Sequence, residues 1–137
     1  MVKKTISKLK KELDKWFSLY IRLRYATYSE GLVQCFTCGK VGHYKKLQCG
    51  HFQTRRHHST RWNEQNCQVQ CVKCNMFEQG EQWKFGLALD HKYGEGTSSE
   101  LEFLAHTTVK RMRAEYEEEI RYYKSIVENL KKEKGIE

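Results

Sequence analysis

Apolar positions recur at helical spacing at both ends of the chain. In residues 5–25 they step by three and four, which predicts one helix with a single apolar face. These positions are Ile6, Leu9, Leu13, Trp16, Phe17 and Tyr20. Beyond His106 the same spacing predicts a long second helix, capped by Thr107 or Thr108 and ended by Gly135. Its apolar stripe is Val109, Met112, Tyr116, Ile120, Tyr123, Val127 and Leu130.

The middle of the chain consists of shorter segments. Residues 29–46 are polar pieces broken by glycines, which favours an irregular knuckle over a helix. Residues 46–52 and 66–71 have the length and alternation of short strands, and a basic polar loop at 53–65 separates them. The stretch 72–89 can then start a helix. The predicted order is therefore strand, strand, helix.

The composition excludes two classes of protein. Of the 137 residues, 39% are apolar and 31% are charged, and no apolar run approaches the ~18 residues that a membrane span needs. An integral membrane protein and a wholly disordered chain are therefore excluded. The lysine-rich start lacks the apolar segment of a secretory signal, so we expect a cytoplasmic protein with reduced cysteines and no membrane partner.

Positive charge is clustered along the chain. The net charge is +8; residues 1–25 carry eight Lys or Arg against two acids, and residues 45–61 carry five against none. Residues 98–137 are nearly balanced, with eight bases and nine acids. Clustered positive charge is typical of a protein that binds a phosphate backbone, so DNA is the expected partner; a solvated basic surface without a partner is the alternative.

Four of the six cysteines form two C-x2-C pairs, Cys35 with Cys38 and Cys71 with Cys74. Two such hooks deliver the four thiolates that a tetrahedral Zn²⁺ requires, so we expect a structural zinc site. Four sulfurs leave no open coordination position, and catalysis must therefore come from other residues. The remaining Cys49 and Cys67 are expected to be small buried apolar residues.

These patterns predict an α+β fold in a single domain, residues 1–137. We expect a zinc-stabilised ββα core over residues 31–93, a basic N-terminal helix within 1–30 and a C-terminal helical region over 94–137. Residues 94–99 are expected to be a linker. The long C-terminal helix packs either on the N-terminal helix or on its twin in a homodimer.

Outside the zinc ligands, His51, Asn66 and Asn75 carry the candidate chemistry with the spacing H-x14-N-x8-N. This spacing, with Asn75 directly after the last knuckle cysteine, resembles that of the HNH nucleases. The stretches LDKWFSLYIRLRYA (13–26), CGHFQTRRH (49–57) and TRWNEQNCQVQCVKCN (60–75) more narrowly resemble the NinG/Rap recombination endonucleases of phages. The resemblance spans most of the chain and implies a ββα-metal (HNH) core.

The resemblance also implies a role for each motif residue. His51 would be the general base that takes a proton from water. Asn66 would be structural and would hold the loop between the strands, so that the His51 ring keeps one orientation. Asn75 would bind a catalytic Mg²⁺ or Mn²⁺ through its amide oxygen. Hydrolysis would leave a 5′ phosphate and a 3′ hydroxyl.

The chain departs from this pattern at Gly50, where many HNH enzymes place a carboxylate or histidine metal ligand before the general base. Residues that could complete the metal site are Glu64, Glu78, Glu81, Asp90, His57 and His58. Water and phosphate oxygens are the alternative, because Mg²⁺ dehydrates reluctantly.

The loop between the motif strands is expected to grip backbone phosphates. Its candidate residues are Arg55, Arg56, His57, His58 and Arg61. Lys73, inside the second knuckle, could add a contact. Trp62 is expected to be a core residue, with base stacking as its alternative.

Three functions fit these features. The first is a structure-selective DNA endonuclease acting on branched recombination intermediates, with recombination proteins as further partners. The second is a generic HNH nickase or restriction-type enzyme acting on duplex DNA. The third is a zinc-knuckle DNA-binding module without activity, which Gly50 favours.

Overall fold

The computed structural model describes residues 3–137 and has a mixed α+β architecture, in agreement with the predicted class. Among these residues, no helix has both the length and the apolar character needed to cross a membrane. In chain order, the helices and strands are α1 (Ile6–Leu23), β1 (Leu32–Gln34), β2 (Val41–His43), β3 (Gln48–His51), α2 (His58–Arg61), β4 (Cys67–Gln70), α3 (Gln82–Tyr93), α4 (Thr97–Ala105) and α5 (Arg113–Lys134).

The two amphipathic helices α1 and α5 pack against each other within one chain. Thr5 begins α1, because its hydroxyl accepts a hydrogen bond from the Lys8 backbone N–H at 3.1 Å. The predicted apolar stripes meet in the interface, except for Val109 and Met112, which precede α5 and are exposed. In the interface the rings of Phe17 and Tyr123 are 5.0 Å apart and perpendicular. The α5 stripe is therefore buried on α1, and the fold of one chain does not require a dimer to cover it.

The predicted end of α5 is confirmed, but its predicted start is not. Gly135 ends the helix with φ +66°, as expected. The prediction that Thr107 or Thr108 caps it was wrong, because the helix begins only at Arg113. The Thr107 hydroxyl donates to the Leu104 carbonyl at 2.7 Å and so belongs to the end of α4.

A small hairpin, β1 paired with β2, forms in the region predicted to be an irregular knuckle. The strands are only three residues long, and Cys35 and Cys38 lie in the turn between them. Gly39 continues this turn with φ +79°, a conformation that glycine adopts without strain. The hairpin therefore presents the first cysteine pair at one tip.

The predicted two-stranded ribbon is confirmed by β3 and β4, which pair antiparallel. Their register places His51 opposite Cys67 and Cys49 opposite Val69. Every residue of β4 is buried, and α1 packs on the ribbon. His51 is the last residue of β3, so the loop 52–66 that follows returns the chain to β4.

The prediction of one helix from residue 72 onward was wrong. A wide turn at Lys73–Phe77 is followed by a break at Gln79, Gly80 and Glu81, which all have positive φ, and α3 begins at Gln82. The buried Gln70 side chain holds this break, since its Nε2 donates to the Gly80 carbonyl at 2.9 Å.

The stretch predicted to be a linker, 94–99, contains a helix start. Gly94 and Gly96 both have positive φ and turn the chain from α3 into α4. The Asp90 carboxylate accepts hydrogen bonds from the Ser98 backbone N–H at 2.7 Å and its hydroxyl at 2.9 Å. The new helix buries Leu101 against α3.

The packing of α1 yields a stability prediction. Leu13 is fully buried in the cluster that joins α1 to α5, whereas Lys11 is exposed on the same helix. Leu13→Ala should lower the free energy of unfolding by about 2–5 kcal/mol, because it leaves a cavity; Lys11→Ala should change it by less than about 0.5 kcal/mol. Urea unfolding measures both. Equal effects would contradict this account of the interface.

Candidate functional site

The four knuckle cysteines converge on one point. The sulfurs of Cys35, Cys38, Cys71 and Cys74 all lie within 4.8 Å of one another. The first two come from the β1–β2 hairpin, and the second two follow β4. Cys38 Sγ and Cys71 Sγ are 3.7 Å apart, close to the ~3.8 Å expected between two ligands of a tetrahedral zinc with Zn–S of ~2.3 Å. The donor set and its spacing therefore fit a structural metal such as zinc.

The electrostatics of this cluster also fit a cation. Burial opposes ionisation of Cys35, but the Cys71 backbone N–H, the Thr37 hydroxyl and other local donors lower its pKa to about 6. Burial and the neighbouring sulfurs raise the pKa of Cys74 to about 12. A divalent cation among the four sulfurs would lower the pKa of all four thiols, because it stabilises every thiolate at once.

His51 is held in one tautomer by the loop that follows it. Its Nε2 lies 3.0 Å from the Arg61 carbonyl oxygen. A carbonyl oxygen only accepts, so Nε2 carries the proton and Nδ1 keeps its lone pair. Burial lowers the pKa of His51 to about 4, with the nearby Arg55 acting in the same direction and the Arg61 carbonyl opposing. The ring is therefore neutral at neutral pH.

Asn66 is fully buried and ties this loop together. Its Oδ1 accepts from the Gln53 backbone N–H at 2.8 Å, and its Nδ2 donates to the carbonyls of Gln53 at 3.1 Å and Thr60 at 3.0 Å. Thr60 directly precedes the residue whose carbonyl binds His51. Asn66 therefore positions the His51 ring through the backbone and does not touch it.

Asn75 lies beside the ribbon with its amide oriented by β3. Its Nδ2 donates to Gln48 Oε1 at 2.7 Å. The amide oxygen Oδ1 has no hydrogen-bond donor among residues 3–137 and is the hard donor that a divalent cation prefers. Gln48 was not identified from the sequence, because only the pairing of β3 with the following turn brings it to Asn75.

His51 and Asn75 line the same open cleft, between α1 and the start of β3. Four cationic side chains share this lining, and Asp14 is its only carboxylate among the described residues. The cations are Arg22, Lys45, Lys46 and Arg55. The first three were not singled out as binding residues, although the basic run at 45–61 was a signal for two of them. The cleft is therefore suited to an anionic ligand.

Asp14 holds the arginines that were expected to grip phosphate. Its carboxylate accepts from Arg55 at 2.7 Å, from Arg61 Nε at 3.1 Å and from Trp62 Nε1 at 2.9 Å. Burial opposes ionisation of Asp14, but these partners, chiefly Arg61, lower its pKa. The Arg61 side chain is only 14% exposed, so it braces the loop, whereas Arg55 at 58% remains accessible.

The other predicted contact residues are spread around the loop. Arg56 is exposed, and the His57 and His106 rings lie 5.1 Å apart. The His58 ring packs 5.9 Å from that of Trp62. Trp62 is buried, which agrees with its expected place in the core. Exposed Lys73 lines a neighbouring groove that shares Lys46 with the cleft.

At position 50 the Gln70 side chain occupies the space that a Cβ would fill, so glycine fits there. A Cβ at Gly50 would collide with the Gln70 side chain, which also donates to the Thr37 hydroxyl at 3.0 Å. The position before His51 therefore serves to join the ribbon to the cysteine knuckle. None of the proposed substitute ligands lines the cleft, and those are Glu64, Glu78, Glu81, Asp90, His57 and His58.

Two of these acids have evident structural roles. Glu64 accepts from the hydroxyls of Tyr20 and Tyr123, both at 2.9 Å, at the junction of α1 and α5. Asp90 caps α4, as described above. Both carboxylates therefore hold helices in place through hydrogen bonds.

The sequence was compared with models of known protein families. The family model described as "NinG: Bacteriophage Lambda NinG protein" matches residues 1–133. The chain belongs to the NinG family. No match was found among curated proteins or among solved structures. The matched residues include the cysteine cluster, the residues that line the cleft, helix α1 and nearly all of α5.

The cysteine cluster of this NinG-family chain yields a metal prediction. The purified protein, dialysed against a competing chelator, should keep about one zinc per chain, the count for a four-thiolate site. Cys38→Ser should lose this zinc and melt at lower temperature, while Cys49→Ser should keep it. Elemental analysis and thermal unfolding measure both. A folded metal-free protein would overturn the zinc site.

Proposed function

We propose that the protein is a metal-dependent DNA endonuclease of the HNH type, acting on branched recombination intermediates such as four-way junctions and D-loops. Its ββα-metal core would be β3, β4 and the segment that starts at Lys73. The observation that carries the proposal is the shared cleft. His51, a neutral imidazole whose Nδ1 keeps its lone pair, and Asn75, whose amide oxygen has no donor among residues 3–137, both line one basic cavity.

His51 supplies the base in this proposal. Its Nδ1 accepts a proton from water, and the resulting hydroxide attacks phosphorus in line. The bond from phosphorus to the 3′ oxygen breaks, and the departing oxygen takes a proton from solvent water, which leaves a 5′ phosphate and a 3′ hydroxyl. The bond from Nε2 to the Arg61 carbonyl stabilises the imidazolium that forms, because a carbonyl accepts more strongly from a charged donor.

Asn75 would hold the catalytic Mg²⁺ or Mn²⁺ through Oδ1, with Gln48 fixing the amide. When bound, such a cation neutralises charge on the scissile phosphate and the departing oxygen. Because the acid in the cleft is paired with arginines, water and phosphate oxygens would complete the coordination, as Mg²⁺ tolerates.

The cationic lining supports DNA as the ligand, since its four positive side chains face the same cavity as His51. The preference for branched DNA rests on the resemblance to the NinG/Rap recombination endonucleases and on family membership. Recombination proteins and a second copy of the chain are further proposed partners. A catalytically silent DNA-binding module is the second candidate, which the glycine at position 50 favours.

Cleavage of matched substrates tests the proposal. A labelled four-way junction and a linear duplex of the same sequence are incubated with Mg²⁺, with Mn²⁺ and with chelator. Wild type should cut the junction preferentially, and His51→Ala should be slower by about 10²–10⁴-fold because the base is lost. Asn75→Ala should also lose activity. His91→Ala, a change at an exposed histidine of α3, is the matched control.

Three other outcomes would contradict parts of the proposal. Equal cutting of junction and duplex would replace the proposal with a generic nickase. Binding by wild type with no cutting under any cation would favour the silent binding module. Unimpaired cutting by a folded His51→Ala variant would remove His51 from the mechanism.

The basic loop yields a prediction about salt. Replacing exposed Arg55 and Arg56 by Ala should lower the slope of log Kd against log salt by about 0.9 for each phosphate that the loop no longer neutralises. Arg121→Ala, on the exposed face of α5, should leave the slope unchanged. Fluorescence anisotropy at several salt concentrations measures both. An unchanged slope in the double variant would remove the loop from the DNA interface.

A further inference from the structure

A second group of metal-binding side chains lies on the ribbon, apart from the four-cysteine cluster. The sulfurs of Cys49 and Cys67 and a ring nitrogen of His51 lie within 4.8 Å of one another. The strand pairing explains this grouping. Cys49 and His51 are two residues apart on β3 and face the same side, and Cys67 is the cross-strand partner of His51 on β4.

The donor set selects a class of cation. Two thiols and an imidazole are ligands for Zn²⁺, Co²⁺ or Cd²⁺, whereas Mg²⁺ and Mn²⁺ prefer oxygen. Two cysteines and one histidine with an open fourth position are an established zinc ligand set in proteins. We propose that Cys49, His51 and Cys67 form a second, exchangeable site for a thiophilic divalent cation, whose fourth coordination position opens into the cleft.

The surroundings support access from the cleft. Cys49 and His51 line the cleft, while Cys67 lies behind them with no exposed surface. Burial and the neighbouring Cys49 side chain raise the pKa of the Cys67 thiol, and two other neighbours oppose this rise. Asn66 Nδ2 lies 3.9 Å from the sulfur, and Arg24 brings a positive charge by donating to the Cys67 carbonyl at 2.8 Å. Both neighbours would help a bound cation to keep this sulfur as a thiolate.

Occupation of this site would oppose the proposed hydrolysis. In the tautomer described above only Nδ1 has a lone pair. A cation that takes this lone pair occupies the atom that would accept the proton from water, and the base is then lost to catalysis. Thiophilic cations should therefore inhibit the reaction that Mg²⁺ or Mn²⁺ supports. This consequence rests on the proposed function, whereas the binding itself does not.

Cobalt titration tests the binding without DNA. Protein carrying one tightly bound zinc is titrated with Co²⁺ in the absence of oxygen and with a phosphine reductant, and the zinc content is measured throughout. One further equivalent should bind with thiolate-to-cobalt charge-transfer bands and tetrahedral d–d bands. Cys49→Ser should weaken this binding at least about tenfold, as loss of a direct ligand costs no less than loss of a supporting group.

Further variants separate this site from others. His51→Ala should keep part of the charge-transfer intensity and lose affinity, while His58→Ala, a change at a loop histidine outside the group, should match wild type. If wild type binds no second equivalent while its zinc and fold persist, the site does not exist. Binding unaffected by Cys49→Ser and His51→Ala would place the cobalt elsewhere. A disulfide between Cys49 and Cys67 that survives the reductant would also overturn the proposal.

The inhibitory consequence is measured separately on a labelled four-way junction in Mg²⁺. Added Zn²⁺ should inhibit wild type, and the concentration for half-inhibition should rise at least about tenfold in Cys49→Ser, measured against that variant's own zinc-free rate. Absence of cleavage in every sample would count against the proposed function, and the cobalt result would stand on its own. Cleavage that is unaffected by zinc while cobalt binds would refute the inhibitory role.

Discussion

The buried amide of Asn66 is the constraint on which the candidate site depends. The only helix or strand in the loop 52–66 is the short helix α2. Without hydrogen bonds to the rest of the protein, its backbone would have many accessible conformations. Asn66, the last residue of this loop, binds the backbone near its start, at Gln53, and at its middle, at Thr60. The adjacent Arg61 carbonyl then fixes His51 as the tautomer with a free Nδ1. A single buried side chain thereby converts a flexible connection into a positioned imidazole.

Helix α1 completes the same arrangement from the other side. It buries one face against α5 and presents Asp14 to the loop, where the carboxylate holds Arg55, Arg61 and Trp62. The cysteine cluster fixes the far end of the ribbon, through the hairpin tip and the residues after β4. The small ribbon is therefore braced at both ends, which a two-stranded sheet requires because it is marginal alone.

The sequence predicted those features that depend on residues close together along the chain. The α1 and α5 stripes, the β3 and β4 ribbon and the paired cysteines were all readable, because each rests on periodicity or on spacing along the chain. The break at Gly80 and the helix α4 were not, since a tertiary bond from Gln70 and glycine turns override the propensity there. Asp14 and Gln48 joined the site only through contacts between distant segments, which one sequence does not reveal.

The protonation state of His51 is the most direct measure of the central claim, that the fold prepares this imidazole as a base. Long-range ¹H–¹⁵N correlation spectra of protein carrying one tightly bound zinc and no further metal, with His51 assigned through His51→Ala, report which ring nitrogen carries a proton. The account predicts a neutral ring at pH 7, protonated at Nε2 and bare at Nδ1, as the bond to the Arg61 carbonyl requires. An imidazolium at pH 7, or a proton on Nδ1, would contradict it.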